Sequence, residues 1–179
     1  MVSAQPREYG FVAKSLHWVI FGLLAAQYAV GSIMPHIGRR TEDAGYVAWH
    51  ISLGAAILFF ILVRLAWRIM NPVPLLPSTP MWQKVLAHAT HGMLYLLVLV
   101  MCVLGWAATS DRGWDVKLFG VLTLPPLAAK GTRWAHTAGD IHDFLVYVLL
   151  AFIVLHVLAA LYHQFVKRDG VLGRMLPIA

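Results

Sequence analysis

The chain has 179 residues, of which 60% are hydrophobic and only 12% are charged, and its mean hydropathy is +0.71. This balance is far from that of a soluble domain and indicates a membrane protein. The formal net charge is +6, but no basic stripe alternates with exposed aromatic residues, so nucleic-acid binding is not indicated.

Four apolar segments follow one another along the chain, and each is about long enough to cross a bilayer. A helix needs about 20 apolar residues to span the hydrocarbon core. The predicted bounds of these helices are 15–34, 49–70, 85–109 and 141–164. The sequence therefore predicts an all-α integral membrane four-helix bundle that forms a single domain over residues 1–179.

The segments outside these helices differ in character. The N-terminus lacks the pattern of a removable signal peptide, so the first apolar run is expected to stay in the mature protein. Prolines between the second and third helices predict a stiff linker, and residues 110–140 form the longest connection, a candidate lid. Cys102 is the only cysteine, which rules out an intrachain disulfide or a thiolate cluster. Any metal chemistry must therefore rest on histidine.

The distribution of charge predicts an orientation. If the N-terminus is cytoplasmic, eight of the Lys and Arg residues fall inside and six outside, and the formal charge is +6 inside and zero outside. Cytoplasmic segments of membrane proteins carry an excess of Lys and Arg. We therefore expect a multi-pass protein of a bacterial inner membrane with both termini in the cytoplasm.

Seven of the nine histidines fall in or beside the apolar runs. Ionisable side chains at membrane depth are costly and are functional candidates by default, although an interhelical hydrogen bond would also explain any one of them. His142 and His156 are fourteen positions apart, which returns the helix to within about 40° of the same face after a rise of about 21 Å. Four histidines, two at each depth, could ligate two haems through their axial positions.

The depths of these histidines predict two pairs. His50 and His142 lie near the outer surface, whereas His17 and His156 lie toward the inner one. The inner pair matches less well, because His17 is closer to its end of the membrane than His156. The fourth helix is expected to project beyond the membrane, or the haem to tilt.

Other polar residues leave alternatives open. Arg64 lies fourteen positions after His50 and could pair with a haem propionate or simply snorkel to the surface. An interfacial role is favoured for His88 and His91, since no carboxylate accompanies them. His163 lies near the cytoplasmic end of the fourth helix and could deliver protons to a reduced quinone.

These residues together resemble those of bacterial cytochrome b561, the four-helix di-haem family. The resemblance covers nearly the whole chain and depends on the order and spacing of short motifs. These are Ser15-Leu16-His17-Trp18, Trp49-His50-Ile51-Ser52-Leu53-Gly54 with Arg64 and Arg68, Leu86-Ala87-His88 with His91-Gly92, the series His142, His156 and His163, and Gly173-Arg174-Met175-Leu176-Pro177.

The resemblance implies two haems b and a set of site residues. The sequence is most similar to short members that take electrons from periplasmic superoxide and reduce ubiquinone in the membrane. The implied axial ligands are His17, His50, His142 and His156, which would bind the haem irons. Carried over in the same way, Ser15 and His163 are candidate catalytic residues at the quinone end, and Arg64 and Ser78 are candidate cofactor-binding residues. His136 has no counterpart in the family pattern and is interpreted as a loop histidine.

The expected partners are membrane lipid, superoxide, ubiquinone and a possible redox protein. Arg39, Arg40, Lys130 and Arg133 could focus a positive field on superoxide, an anion, at the outer surface. One alternative is a haem-b anchor subunit that passes electrons between a partner dehydrogenase or hydrogenase and quinone. Another is a non-redox, histidine-rich carrier of metal ions or protons.

Overall fold

The computed structural model describes residues 9–38, 40–73 and 79–176. Four long helices dominate these ranges, and the last is prolonged by a π-helical turn that a short 3-10 turn follows. The helices are α1 Phe11–Ile33, α2 Tyr46–Met70, α3 Met81–Arg112 and α4 Arg133–Tyr162, with the π-helical turn at His163–Lys167 and the 3-10 turn at Gly173–Met175.

All four helices are long and apolar enough to cross a membrane, with mean hydropathies from 1.5 to 2.8 over their most apolar stretches. Large apolar side chains cover the outside of the bundle. Phe144 and Tyr147 on α4 are 66% and 74% exposed, which water would oppose and lipid favours. The predicted all-α membrane four-helix bundle is confirmed, and the chain is a multi-pass membrane protein.

The helices pack in sequence, α1 on α2, α2 on α3 and α3 on α4. A buried cluster that includes Ile57, Val98 and Leu149 joins them near mid-membrane. The Tyr28 hydroxyl of α1 donates a hydrogen bond to the Val146 carbonyl of α4 at 2.9 Å, which links the first helix to the last. Side chains on α1 and α4 can therefore meet across the bundle.

The third helix ends three residues later than predicted, in a Schellman motif. Gly113 has a φ of 74°, and its N–H donates to the Ser110 carbonyl at 2.9 Å. The Trp114 N–H donates to the Thr109 carbonyl at 3.2 Å. Glycine takes this left-handed conformation without a Cβ penalty, so Gly113 sets the end of α3.

The fourth helix begins at Arg133, eight residues before its predicted start. Hydropathy alone misses this first part because it is polar on one side. Ala135 and Ala138 are almost fully buried and pack with Ala107 of α3. The interpretation of His136 as a loop histidine is therefore wrong, since it lies in the first turn of α4, 3.8 Å from the Asp111 carboxylate.

The connection between α3 and α4 holds an unpredicted antiparallel hairpin of strands β1 Val116–Leu118 and β2 Leu122–Leu124. The hairpin lies against α2. Two of the candidate residues named from the sequence, Ser78 of the proline-rich linker and Arg39, lie outside the described residues.

Candidate functional site

One site consists of two facing histidines and is called the outer site, with the other called the inner site, after the orientation expected from the sequence. The ring centroids of His50 on α2 and His142 on α4 are 6.1 Å apart, and the ring planes are inclined at 80°. Nδ1 of His142 lies 2.9 Å from the Met101 carbonyl oxygen. A carbonyl only accepts, so Nδ1 carries the proton and the lone pair of His142 is on Nε2. This is how proteins orient a histidine that ligates a metal.

Two glycines make room for these rings. A Cβ on Gly105 of α3 would lie 3.0 Å from Cε1 of His142, and one on Gly31 of α1 would lie 3.7 Å from Nδ1 of His50. The sequence shows glycine in the spans, but glycine is common in membrane helices. Only the packing distinguishes Gly105 from Gly22, where a Cβ would meet nothing within 4 Å.

Gln27 is a site residue that the sequence analysis missed. Its Nε2 lies 3.2 Å from Nε2 of His50 and donates to the His50 carbonyl at 3.1 Å. Among the described residues, Gln27 Oε1 and His50 Nδ1 are buried without a hydrogen-bond partner. Unpaired buried polar atoms cost about 1–3 kcal/mol each, so these groups indicate a space that a further molecule completes.

The inner site pairs His17 of α1 with His156 of α4. Their ring centroids are 6.3 Å apart and the planes are inclined at 73°. At the inner end, α1 begins at Phe11, six residues before His17, whereas the helical run of α4 continues through the π-helical turn to Lys167, eleven residues after His156. The fourth helix therefore extends further than the first at this end, in line with the projecting helix that the sequence predicts.

A third histidine lies beside this inner pair. The His91 ring centroid is 5.2 Å from that of His156, and its Nδ1 is 2.6 Å from the Ala87 carbonyl oxygen. His88 lies 2.7 Å from the Lys84 carbonyl oxygen, and the side chains of both His88 and His91 are exposed. The two histidines differ in their contacts, because only the His91 ring lies against the inner pair.

Arg64 also lies beside the inner pair. Its Nη1 donates to the Ala13 carbonyl of α1 at 2.8 Å. The guanidinium is close enough to interact electrostatically with His17, His91 and His156. Arg64 is thus positioned to hold an anionic group next to the inner histidines, as a propionate partner would be.

The spacing of both pairs fits a haem. Two imidazoles that bind opposite sides of one iron through bonds of about 2.0–2.1 Å would have centroids about 6 to 6.5 Å apart. The observed spacings are 6.1 and 6.3 Å.

Within the described ranges, no group of three His, Cys, Asp or Glu side chains is arranged to hold a bare metal ion. The paired rings therefore suit haem iron better than a four-ligand metal site. For haem to bind at the outer pair, Gln27 would have to give up its contact with Nε2 of His50.

A histidine–aspartate pair lies at the inner end of α4. His163 begins the π-helical turn, and its Nδ1 lies 2.6 Å from an Asp169 carboxylate oxygen. The other carboxylate oxygen accepts the Val171 N–H at 3.3 Å. A carboxylate at Nδ1 orients the imidazole and leaves Nε2 for proton exchange. His163 was predicted, whereas Asp169 was missed because the π-helical turn and the left-handed Arg168 bring it back.

Ser15 lies one turn into α1 and is half-buried. It precedes His17 by two positions, which turns its side chain about 160° away from that ring around the helix. No hydrogen bond joins Ser15 to His163 among the described residues. The structure does not bring this candidate catalytic residue into either histidine pair.

Replacing Gly105 with alanine is expected to disturb the outer site, because the new Cβ would lie 3.0 Å from the His142 ring. Overpacking of this kind costs about 1–3 kcal/mol. We expect Gly105→Ala to lower haem content and the thermal unfolding midpoint, both measured on purified protein. Gly22→Ala is the matched control and should change neither. Equal behaviour of the two variants would contradict the role of Gly105.

The fold defines a class of protein, a small multi-pass membrane protein of four helices, and its two histidine pairs fit the haem of a membrane cytochrome. A model of the prokaryotic cytochrome b561 family matches residues 8–177. The chain therefore belongs to the prokaryotic cytochrome b561 family, whose members bind haem b and transfer electrons in membranes.

Three curated relatives align over nearly their whole length. Cytochrome b561 homolog 2 of Escherichia coli is 28% identical over 96% of this chain and 92% of its own. A probable superoxide oxidase CybB of Yersinia pestis is 28% identical over 96% and 97% of the two chains. Cytochrome b562 of Cereibacter sphaeroides is 32% identical over 96% and 97%.

Proposed function

We propose that this chain takes electrons from superoxide at the periplasmic face of a bacterial inner membrane and passes them through two haems b to ubiquinone. The observation that carries the proposal is the pair of facing histidine sites, fourteen residues apart on α4 and thus about 21 Å apart along it. The name of the Yersinia relative supports superoxide as the donor. When bound, the haems supply one-electron redox chemistry.

A cavity of about 220 Å³ supports the entry of a small anion on the outer side. It is lined in part by Lys130, Ser110 and Trp106. The indole N–H of Trp106 is buried without a hydrogen-bond partner among the described residues. Trp106 follows Gly105, which lies against His142, so one lining residue of the cavity is the chain neighbour of a residue in contact with the outer pair. The Lys130 ammonium would attract an anion such as superoxide, although the carboxylate of Asp115 also lines the cavity and reduces its net positive charge.

The inner end of the chain supports protonation of the product. Two superoxide ions give up one electron each and leave as two O2 molecules, and ubiquinone takes up the two electrons and two protons to become ubiquinol. His163, oriented by Asp169 at 2.6 Å, is the proposed proton donor. The excess of Lys and Arg on this side supports cytoplasmic termini.

The proposal is tested by a superoxide pulse on the haem-loaded protein in anaerobic liposomes that contain ubiquinone. We expect rapid appearance of the absorption bands of reduced low-spin haem b, followed by ubiquinol. Prior addition of superoxide dismutase should abolish both signals.

Two results would contradict different parts of the proposal. If dithionite reduces the haem but superoxide does not, superoxide is not the donor, and a stable copurifying dehydrogenase or hydrogenase would favour an anchor subunit instead. If purified protein shows no haem b bands, the electron-transfer proposal itself fails.

A further inference from the structure

The β1–β2 hairpin has a polar base and an apolar tip. Asp115 and Lys117 at its base approach each other to 3.8 Å, and their side chains are half or more exposed. The tip is the three-residue loop of Phe119, Gly120 and Val121 between the paired residues Leu118 and Leu122. The tip carries no charge: Phe119 is 56% exposed and Val121 86%, and the adjoining Leu122 of β2 is 59% exposed. Such a cluster would be unfavourable in water.

The tip lies beside the middle of a spanning helix. The Phe119 ring centroid is 5.6 Å from that of Phe59 and 6.2 Å from that of Phe60. Phe59 is the fourteenth of the 25 residues of α2, and it lies nine residues, or about 14 Å, beyond His50 toward the other side of the membrane. The tip therefore reaches past the level of the outer histidine pair.

The backbone of the tip is also adapted to this contact. Phe119 has a φ of 52° and Gly120 one of 70°. A positive φ is unfavourable for a bulky aromatic residue, and turns with positive φ ordinarily use glycine or asparagine. The two ring contacts with α2 account for a phenylalanine at this position.

The length of the chain and the pairing of the two strands allow the tip of the hairpin to reach this depth. Phe119 lies five positions after Trp114 at the end of α3, and extended chain covers about 17 Å in that distance. Strand β1 is the one that packs on α2 and α3, and Val116 within it is only 6% exposed. An open strand edge is costly in lipid because its backbone groups have no hydrogen-bond partner, and the edge strand β2 has only three residues, so few such groups are left unpaired.

We infer that the hairpin is a re-entrant element whose tip is inserted among the acyl chains of the lipid leaflet on the side of the His50–His142 pair. The molecules that cover the tip are lipids, because the surface of the tip is apolar and uncharged and lies level with the middle of α2. Lys117 at the base can extend its ammonium toward the headgroups. This inference goes beyond electron transfer and does not depend on superoxide as the donor.

Spin labels test the depth of the tip in the full-length, haem-loaded protein reconstituted in phosphatidylcholine–phosphatidylglycerol vesicles. Cys102, the only cysteine, is first replaced by alanine. Single cysteines are then introduced by Val121→Cys at the tip, Asp115→Cys at the base and Leu155→Cys on the exposed apolar face of α4. Power saturation compares collisions with oxygen, which concentrates in lipid, and with a water-soluble nickel chelate.

We expect the labels at 121 and 155 to behave alike, with about fivefold less collision with the nickel chelate than the label at 115, as a hydrocarbon environment requires. A label at 121 that collides with the nickel chelate as often as that at 115 would place the tip in water and overturn the inference. A label at 121 that neither reagent reaches would show protein covering the tip, and would overturn it as well. An unchanged haem spectrum confirms that each variant is folded.

Discussion

Replacing His50 or His142 with alanine is expected to remove the same haem, and replacing His17 or His156 the other one. The ring centroids are 6.1 Å apart in the first pair and 6.3 Å apart in the second. Under the proposed assignment, either loss would leave the haem iron with a single protein ligand. The pyridine haemochrome assay should show about half of the haem retained in each variant. A redox titration should then show the same remaining component for both members of a pair.

Histidines outside the pairs serve as controls. His136→Ala and His88→Ala should retain both haems, because His136 is a mostly exposed residue in the first turn of α4 and His88 is exposed near the start of α3. His91 provides the sharper comparison, since its ring is 5.2 Å from His156. If His91→Ala removes the inner haem and His17→Ala does not, the ligand is His91 and the proposed inner pair is wrong.

The second large effect concerns the transfer of protons to quinone. His163→Ala is expected to slow ubiquinol formation about 100-fold or more, as the loss of a general acid does. Superoxide-driven reduction of haem should continue at its original rate, because His163 lies about 10 Å beyond His156 along the helix. Stopped-flow absorption separates the two steps in one experiment.

Asp169 has a positioning role that a conservative change can reveal. Asp169→Asn removes the negative charge that lies 2.6 Å from Nδ1 of His163 and should slow ubiquinol formation less than His163→Ala does. Unchanged quinone kinetics in both variants would contradict a proton-transfer role for this pair.

The spans and the histidine pairs could be predicted because both depend on local properties of the chain. Hydropathy over about 20 residues identifies each helix, and a spacing of fourteen places His142 and His156 on nearly one face at two depths. The helix ends were less predictable. Ala135 and Ala138 belong to α4 because they pack against Ala107, a contact that local hydropathy does not record.

The amino-acid sequence by itself determined the four membrane-spanning helices and the position of each histidine along its own helix. It also determined that any metal binding must use histidine, since Cys102 is the only cysteine. Only the tertiary structure decided that Gln27 meets His50, that Gly105 makes room for His142, that His91 joins His156 and that the hairpin descends along α2. The physical reason is range: hydropathy and helical periodicity act between neighbouring residues, whereas these contacts depend on how one helix is rotated and packed against another.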